Sequence, residues 1–522
     1  MSRRRWTPAR RSSKVARVGH HVVVGETEMI RLTGRTGAIA YSAMAVAAAA
    51  LAGAAATTSL ALIGVLMLTS GFLFALLVAR FGTGCATGLL ILASLDALPG
   101  PNLETTRIAN SITAQDLAVV ALLALLVYEN ARDSFRLMWR APWGRTLAVW
   151  SVVFLAWYGA TVVRTWTTTP VPLVHAVTYS RDFLYFALLL PLMFGPLRGP
   201  TFRNTALVTL AIGAVVASIA QGIAVVGSVS LSLLVHTYQL GEAGGLTRLY
   251  TSASDIPFAG LPLGIGLALF APSRGPRLLG AVLAATSLAA VLLGLTRAMY
   301  LGELGGLTAA TLLALLNTDA RARHGRRQFT KAGLAILVAT SLVVIYAPAS
   351  VSNSAISGVS QRASSLVSDL TSSTVTDPSL QTRATETAGI EAAIGSHWLF
   401  GLGFLDPTYD YVAQAPEGNI RNPDVSLLGS ISTIGVFGTA IYAFPLIAIL
   451  LGLAYRRWTI RKTPALEWLA FGAFAWCVAA LIASVTLGLF FSPAQVSGSA
   501  LVLALAAATI LTDPVPATTR PT

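Results

Sequence analysis

Charge is what this sequence has least of. Only 11% of its 522 residues are Asp, Glu, Lys or Arg, against about 25% in soluble domains. With 55% of the residues hydrophobic, an ordinary water-soluble chain is excluded and a polytopic membrane protein is expected. Cysteine occurs twice, as Cys85 and Cys477, both inside apolar runs. No disulfide is expected; both read as small buried residues. No Cys/His cluster has metal-ligand spacing, so neither a metal nor another cofactor is expected. Lysine is scarce too, three against 33 arginines.

The net charge is nonetheless +14. In a soluble protein this would suggest nucleic acid. Here the positive-inside rule accounts for it, and no nucleic-acid partner is expected. Spans need roughly 17–25 apolar residues. Fourteen are read: 37–56, 59–79, 82–98, 112–128, 146–163, 181–197, 205–227, 255–271, 278–295, 299–317, 332–348, 425–453, 466–489 and 494–511. With both termini cytoplasmic, 28 of the 36 basic residues fall inside. They include nine in the first 35 residues and the groups Arg132–Arg145, Arg198/Arg203, Arg274/Arg277, Arg321–Lys331 and Arg456–Lys462. The reverse topology would put these outside.

The expected organisation is all-α, about fourteen transmembrane helices with one large, partly helical extracytoplasmic loop. Residues 1–36 form a basic cytoplasmic tail held against anionic lipid. A signal peptide is the alternative, since "LAGAAATT" resembles a cleavage site. Residues 37–348 form the first eleven spans, 349–424 the loop, 425–511 the last three spans, and 512–522 a short cytoplasmic tail. The chain belongs, on this reading, in the plasma membrane, with the lipid bilayer as a partner.

The loop 349–424 is 76 residues long, too long for a mere connection. It begins Ser/Thr-rich. It turns helix-like in "DPSLQTRATETAGIEAAIGSHWLF", with Asp377 as N-cap and Pro378 at the first helical position. "GLGFLDP" and "APEGNIRNPD" then read as turns. With three basic and eight acidic residues, this loop is the expected lid or active-site domain.

Eight basic residues remain outside: Arg107, Arg164, Arg181, Arg248, Arg297, Arg362, Arg383 and Arg421. Arg297, in "LLGLTRAMYLGELGG", and Arg181 read as the outer ends of spans. A buried charge costs about 2.5–3.5 kcal/mol at mid-membrane and less at the interface. Both can simply snorkel. The functional alternative is phosphate binding, for which a guanidinium fork that stays charged is suited. Glu303 lies six residues, about 9 Å, along the same helix. At roughly 100° per residue it points away from Arg297, leaving a structural contact with another span or a place in the site.

The Thr-Arg-Ala of "LLGLTRAMYLGELGG" resembles the Ser/Thr-Arg-small signature of the O-antigen ligase and polymerase superfamily. Arg383 followed by Gly401 of "HWLFGLGF" resembles that family's helix-opening Arg and its Pro-Leu-hydrophobic-Gly-x-Gly turn at the same spacing. Trp398 stands here where the family usually has Pro, and Thr387 where it often has Trp. "DVSLLGSISTIGVFG" resembles the family's His-Asn run ending in Gly-x-x-Gly: Gly435 and Gly438 match, while Asp424 and Val425 hold the His and Asn positions. "RLYTSASDIPFAG", from Arg248, resembles the family's outer arginine and entry to the next span. Together these stretches cover roughly residues 245–440.

The resemblance implies a membrane-embedded C-type glycosyltransferase. It would move a glycan from a polyprenyl-pyrophosphate carrier to a glycan, lipid or protein acceptor outside the cytoplasm, without a metal, in cell-envelope polysaccharide biosynthesis. The missing His tilts the expectation from a ligase toward a polymerase-like or other transferase. Arg297, Arg383, Arg248 and Arg181 would hold the pyrophosphate. Asp424 would be the base, or else the N-cap of the next helix; His397 is the second candidate. Trp398, Tyr409 and Tyr411 could stack on sugars or pack the loop. Asp406 and Asp410 could bind a cation, or are turn residues. The competing class is a lipid-linked oligosaccharide flippase, which should instead show midplane charges and repeat symmetry.

Overall fold

The computed structural model describes residues 80–97, 107–109, 112–131, 135–227, 237–243, 246–251, 255–294, 296–315, 387–392, 394–405, 426–460, 466–484 and 496–512. The expected spans 37–56, 59–79 and 332–348 lie outside them, as do both tails. From Phe81 onward the chain is one compact unit. Its helices are α1 (Thr83–Ser94), α2 (Ala114–Glu129), α3 (Phe135–Arg140), α4 (Pro142–Thr168), α5 (Leu173–Leu197), α6 (Pro200–Gly227), α7 (Asp255–Phe270), α8 (Arg274–Leu293), α9 (Arg297–Leu315), α10 (Ser426–Ile460), α11 (Glu467–Ser484) and α12 (Val496–Thr509). Among the described residues, six stretches are long and apolar enough to cross a membrane: α4, α5, Pro200–Ile223 of α6, α8, Leu427–Tyr455 of α10, and α11. The protein is therefore a helical membrane protein.

Two short antiparallel hairpins interrupt the helical pattern, which the sequence reading did not foresee. Arg107–Ala109 (β1) pairs with Ile112–Thr113 (β2). Thr237–Ala243 (β3) pairs with Leu246–Thr251 (β4), with Tyr238 opposite Tyr250 and an irregularity between Gln239 and Glu242. The second has a readable cause: Thr, Tyr and Leu flank a Gly-Gly pair, the composition of a hairpin.

Small residues let the helices approach closely, as membrane helices require in the absence of a water-driven hydrophobic force. On α9, a Cβ at Gly302 would lie 2.7 Å from the Ala479 carbonyl of α11, and one at Gly306 would overlap that of Ala475. On α7, a Cβ at Gly264 would meet Ala284 of α8 at 2.7 Å. At the centre, Phe154 of α4, Phe183 and Phe186 of α5 and Tyr442 of α10 form one aromatic cluster, with ring centroids 5.0–6.4 Å apart.

The chain alternates between two ends of this bundle. One end gathers Arg140, Arg145, Arg198, Arg203, Arg274 and Arg277 at helix termini. There Arg198 Nη1 donates to the Leu137 carbonyl at 3.2 Å and Arg277 Nε to that of Ala271 at 2.6 Å; cations suit such C-terminal carbonyls. The opposite end carries the α4–α5 turn, the α8–α9 turn and the segment 394–405.

One expected boundary is corrected, and one expected span carries a break within it. The fifth described helix, α5, begins at Leu173 after Pro172 rather than at residue 181. Arg181 therefore stands eight residues, about 12 Å, inside the helix and not at its outer end. The apolar run expected as one span from residue 425 is broken at Gly435, whose φ of 74° and ψ of 174° are non-helical.

Candidate functional site

The break at Gly435 organises the end opposite the basic cluster. A break frees carbonyls on one side and N–H groups on the other, and in a bilayer each must find a partner. Here each of five has one. On the upstream side, the carbonyl of Ser432 accepts from Leu402 N at 2.6 Å, that of Thr433 from Gly403 N at 3.0 Å, and that of Ile434 from Trp157 Nε1 at 3.2 Å. On the downstream side, Val436 N donates to the Trp398 carbonyl at 2.9 Å and Phe437 N to that of Leu399 at 3.3 Å. The partner is thus the turn 398–403, docked backbone to backbone across the interrupted helix.

Only glycine fits the joint. Gly401, Gly403 and Gly435 have φ of 73°, 103° and 74°. The last, with ψ near 180°, lies in a region essentially closed to other residues. A Cβ at Gly401 would lie 2.5 Å from the Thr433 carbonyl, and one at Gly435 would overlap that of Leu399. The two glycine-bearing stretches of the sequence, separated by about thirty residues, are therefore halves of one interlock.

The last turns of α4 hold it in place. Arg164 Nη2 donates to the Phe400 carbonyl at 2.7 Å. Thr165 Oγ1 accepts from Phe404 N at 3.0 Å while donating to the Thr161 carbonyl at 2.8 Å. Phe404 is fully buried, against Tyr158 and Phe183. Trp157 stacks on Phe400 with centroids 5.6 Å apart, and both neighbour Phe437. Trp398, Phe400 and Phe437 stay about half exposed. The result is a half-exposed aromatic cluster, with Phe437 tilted against the stacked Trp157–Phe400 pair, beside a half-buried guanidinium.

The expected site residues fall into three groups. His397 and Trp398 are exposed on this interlock, His397 in the 3₁₀ turn Gly395–His397. Trp398 supplies one of the carbonyls that cap the broken helix. The helix-like stretch before them is helical over 387–392, with Ile390 and Ile394 buried. Arg297 opens α9 directly after Thr296, at the same end of the bundle. The ends of α8 and α9 are tied there: Thr296 Oγ1 donates to the Gly294 carbonyl at 3.1 Å, and Tyr300 OH to that of Leu292 at 2.5 Å. Arg248 lies on β4, opposite no described partner residue in the register, next to the Leu249–Gln239 pair. Arg383, Tyr409 and Asp424 lie outside the described residues.

Arg181 is engaged elsewhere. Its Nε lies 2.8 Å from Asp116 Oδ1 on α2, an ion pair without the direction of a good hydrogen bond. Asp116 also receives Tyr185 OH at 3.2 Å. Its other oxygen accepts Thr113 N at 2.8 Å and Thr113 Oγ1 at 3.0 Å, completing the capping box of α2. This carboxylate is saturated by the fold, and Arg181 with it serves the α2–α5 contact.

Arg164, Trp157 and Thr165 were not among the expected site residues. Arg164 could have been singled out, since it closes an apolar run on the side expected to be outside. Nothing in the sequence marks Trp157 or Thr165. Glu303 is buried in α9 with neither carboxylate oxygen partnered among the described residues. Both cysteines are free thiols. Among the described residues no three His, Cys, Asp or Glu side chains gather as a metal site. No family model matches this chain, and no curated protein matches it.

Proposed function

We propose that this protein is a polyprenyl-pyrophosphate-dependent glycosyltransferase of the O-antigen ligase and polymerase type. It would act at the extracytoplasmic end of a bundle of about fourteen spans with both termini in the cytoplasm. The observation that carries the reading is the interlock. The Gly-x-Gly turn and the Gly-x-x-Gly run, on which the resemblance rests, bond to one another, at the bundle end where Arg297 opens α9. A resemblance made of unrelated weak motifs would give no reason for them to meet.

In the proposed reaction the acceptor hydroxyl oxygen forms a bond to the anomeric carbon. The bond from that carbon to the pyrophosphate oxygen breaks, and its electron pair leaves with the pyrophosphate. Arg297, Arg383 and Arg248 stabilise that growing charge from fixed positions. Asp424, with His397 as the second candidate, takes the acceptor proton. Trp398 and Tyr409 offer faces for the sugar rings. Arg181 drops out of the pyrophosphate set because Asp116 engages it. Arg164 holds the turn and is a positioning residue.

The test is glycan transfer by the purified protein from a polyprenyl-pyrophosphate donor, comparing wild type with Arg297→Ala and Arg383→Ala. Removing a fixed donor to a transition-state anion lowers turnover by about 10²–10³-fold. Unchanged turnover in both variants would sink the site assignment. A second reading, a transporter for lipid-linked oligosaccharide, is favoured by one observation, the buried Glu303 carboxylate within the bundle.

A further inference from the structure

Glu303 lies six residues, about 9 Å, along α9 from its first residue, and is 5% exposed. Three packing relations place it. Leu307, one turn further along α9, packs against the cluster formed by Leu261 of α7 and Ala284 of α8, and on its other flank against that of Phe471 and Ala475 of α11. A Cβ at Gly302 would lie 3.3 Å from Phe258 Cζ of α7. Ser287, one turn from Ala284 toward the α8–α9 turn, is fully buried next to Gly260 of α7. Glu303 thus faces the junction of α7, α8 and α9, at the level of Ser287.

The polar atoms there have no protein partners among the described residues: both Glu303 carboxylate oxygens, Ser287 Oγ, and both carboxylate oxygens of Asp255, which opens α7 one turn from Phe258. The other titratable groups of the packed helices are accounted for. Arg274 and Arg277 of α8 and Glu467 of α11 are at the far end. Cys477 of α11 is a buried thiol. Arg297 opens α9 six residues before Glu303, a spacing at which two residues of one helix do not face each other.

A bare carboxylate buried in an apolar bundle is too costly to persist; it is neutralised. Glu303 and Ser287 themselves offer two carboxylate oxygens and one hydroxyl, fewer than the six or more oxygens a divalent ion such as calcium takes; Asp255 stands at the start of α7, toward the bundle end. We propose that Glu303, with Ser287 at its level, is an intramembrane binding site for a monovalent cation, a proton or a sodium ion, reached from the bundle end where Asp255 lies. The site is independent of the transfer reaction, and either proposal can fail without the other.

Dicyclohexylcarbodiimide, which adds to protonated carboxyls in apolar surroundings, is the probe, applied to the full chain in nanodiscs and read by peptide mass spectrometry. Labelling at Glu303 that is lost in Glu303→Gln and kept in Asp255→Asn supports the site. If the ion is a proton, labelling falls about tenfold per pH unit at high pH and ignores sodium. If it is sodium, adding sodium suppresses labelling at fixed pH. Thermal unfolding covers the case in which the reagent cannot enter. A wild-type midpoint that moves with pH or sodium, and stops moving in Glu303→Gln, also supports the site. For a proton the midpoint falls as pH rises, because the folded chain must then give up a proton that the unfolded chain has already released. No labelling, together with a wild-type midpoint insensitive to both and a large loss of stability in Glu303→Gln at neutral pH, would mean that a protein cation such as Arg297 pairs the carboxylate. The proposal would then be overturned. Absent labelling with no effect of pH, sodium or Glu303→Gln overturns it as well.

Discussion

Two corners of the bundle treat buried polarity in opposite ways. Where α10 breaks at Gly435, five backbone groups released by the break all find partners in the turn 398–403 and in Trp157. Where α7, α8 and α9 meet, Pro262 leaves the Phe258 carbonyl without its intrahelical donor, and Glu303, Ser287 and Asp255 bring polar side-chain atoms that no described group satisfies. At the first corner the five freed backbone groups are satisfied without a ligand, and its purpose is shape: it fixes His397, Trp398 and the aromatic surface. The second is incomplete, and its completion has to come from outside the described side chains. A closed polar network rigidifies, whereas an open one is a place to bind.

Substitutions can break the closed corner in order of severity. Gly435→Ala forces a non-glycine residue into a glycine-only conformation and drives its Cβ into the Leu399 carbonyl. It should destabilise by about 3 kcal/mol or more, read as a collapsed unfolding midpoint in detergent. Asp116→Ala, in the α2–α5 contact, removes the acidic half of the capping box and the ion pair to Arg181. A loss of about 2–3 kcal/mol is expected. A double-mutant cycle with Arg181→Met should show the two losses to be less than additive. Arg164→Met deletes one charge-assisted hydrogen bond to the Phe400 carbonyl. It should cost about 1.5 kcal/mol and raise proteolysis within residues 395–405 before anything else unfolds. The smallest effect is the control. Gly159 sits in the body of α4 with open space where its Cβ would be. Gly159→Ala should stabilise by about 0.5–1 kcal/mol, which would show that glycine matters at the joint and not merely in the bundle.

The sequence made some of this legible and hid the rest for physical reasons. The turn at "LLGLTR" could be read because a charge beside Gly294 interrupts apolar periodicity. The Gly-x-Gly turn could be read because paired glycines announce left-handed backbone. The capping box of α2 stands openly in Thr113-Ala-Gln-Asp116. The break at Gly435 could not be read: in an apolar run a glycine only weakens a helix, and the cause of the break is a turn about thirty residues upstream. Arg181 was misplaced because "LVHAVTYSR" lowers hydropathy across the first two turns of α5, so the span seemed to start at the arginine. Its partner Asp116 belongs to another helix, which no local pattern reveals. Arg297 stands out by its place at the outer end of an apolar run, while Arg248, Arg383 and Asp424 stand out only through the resemblance; the proposed pyrophosphate role rests on these and on the meeting of the two glycine motifs.

The most direct test of the central claim follows the fate of the donor. Wild-type protein is reconstituted with a polyprenyl-pyrophosphate-linked glycan and an acceptor glycan, with chelator present. The account predicts transferred glycan and free polyprenyl pyrophosphate appearing in equal amounts. Donor that crosses the membrane intact, or that remains uncleaved with every acceptor class, would contradict it.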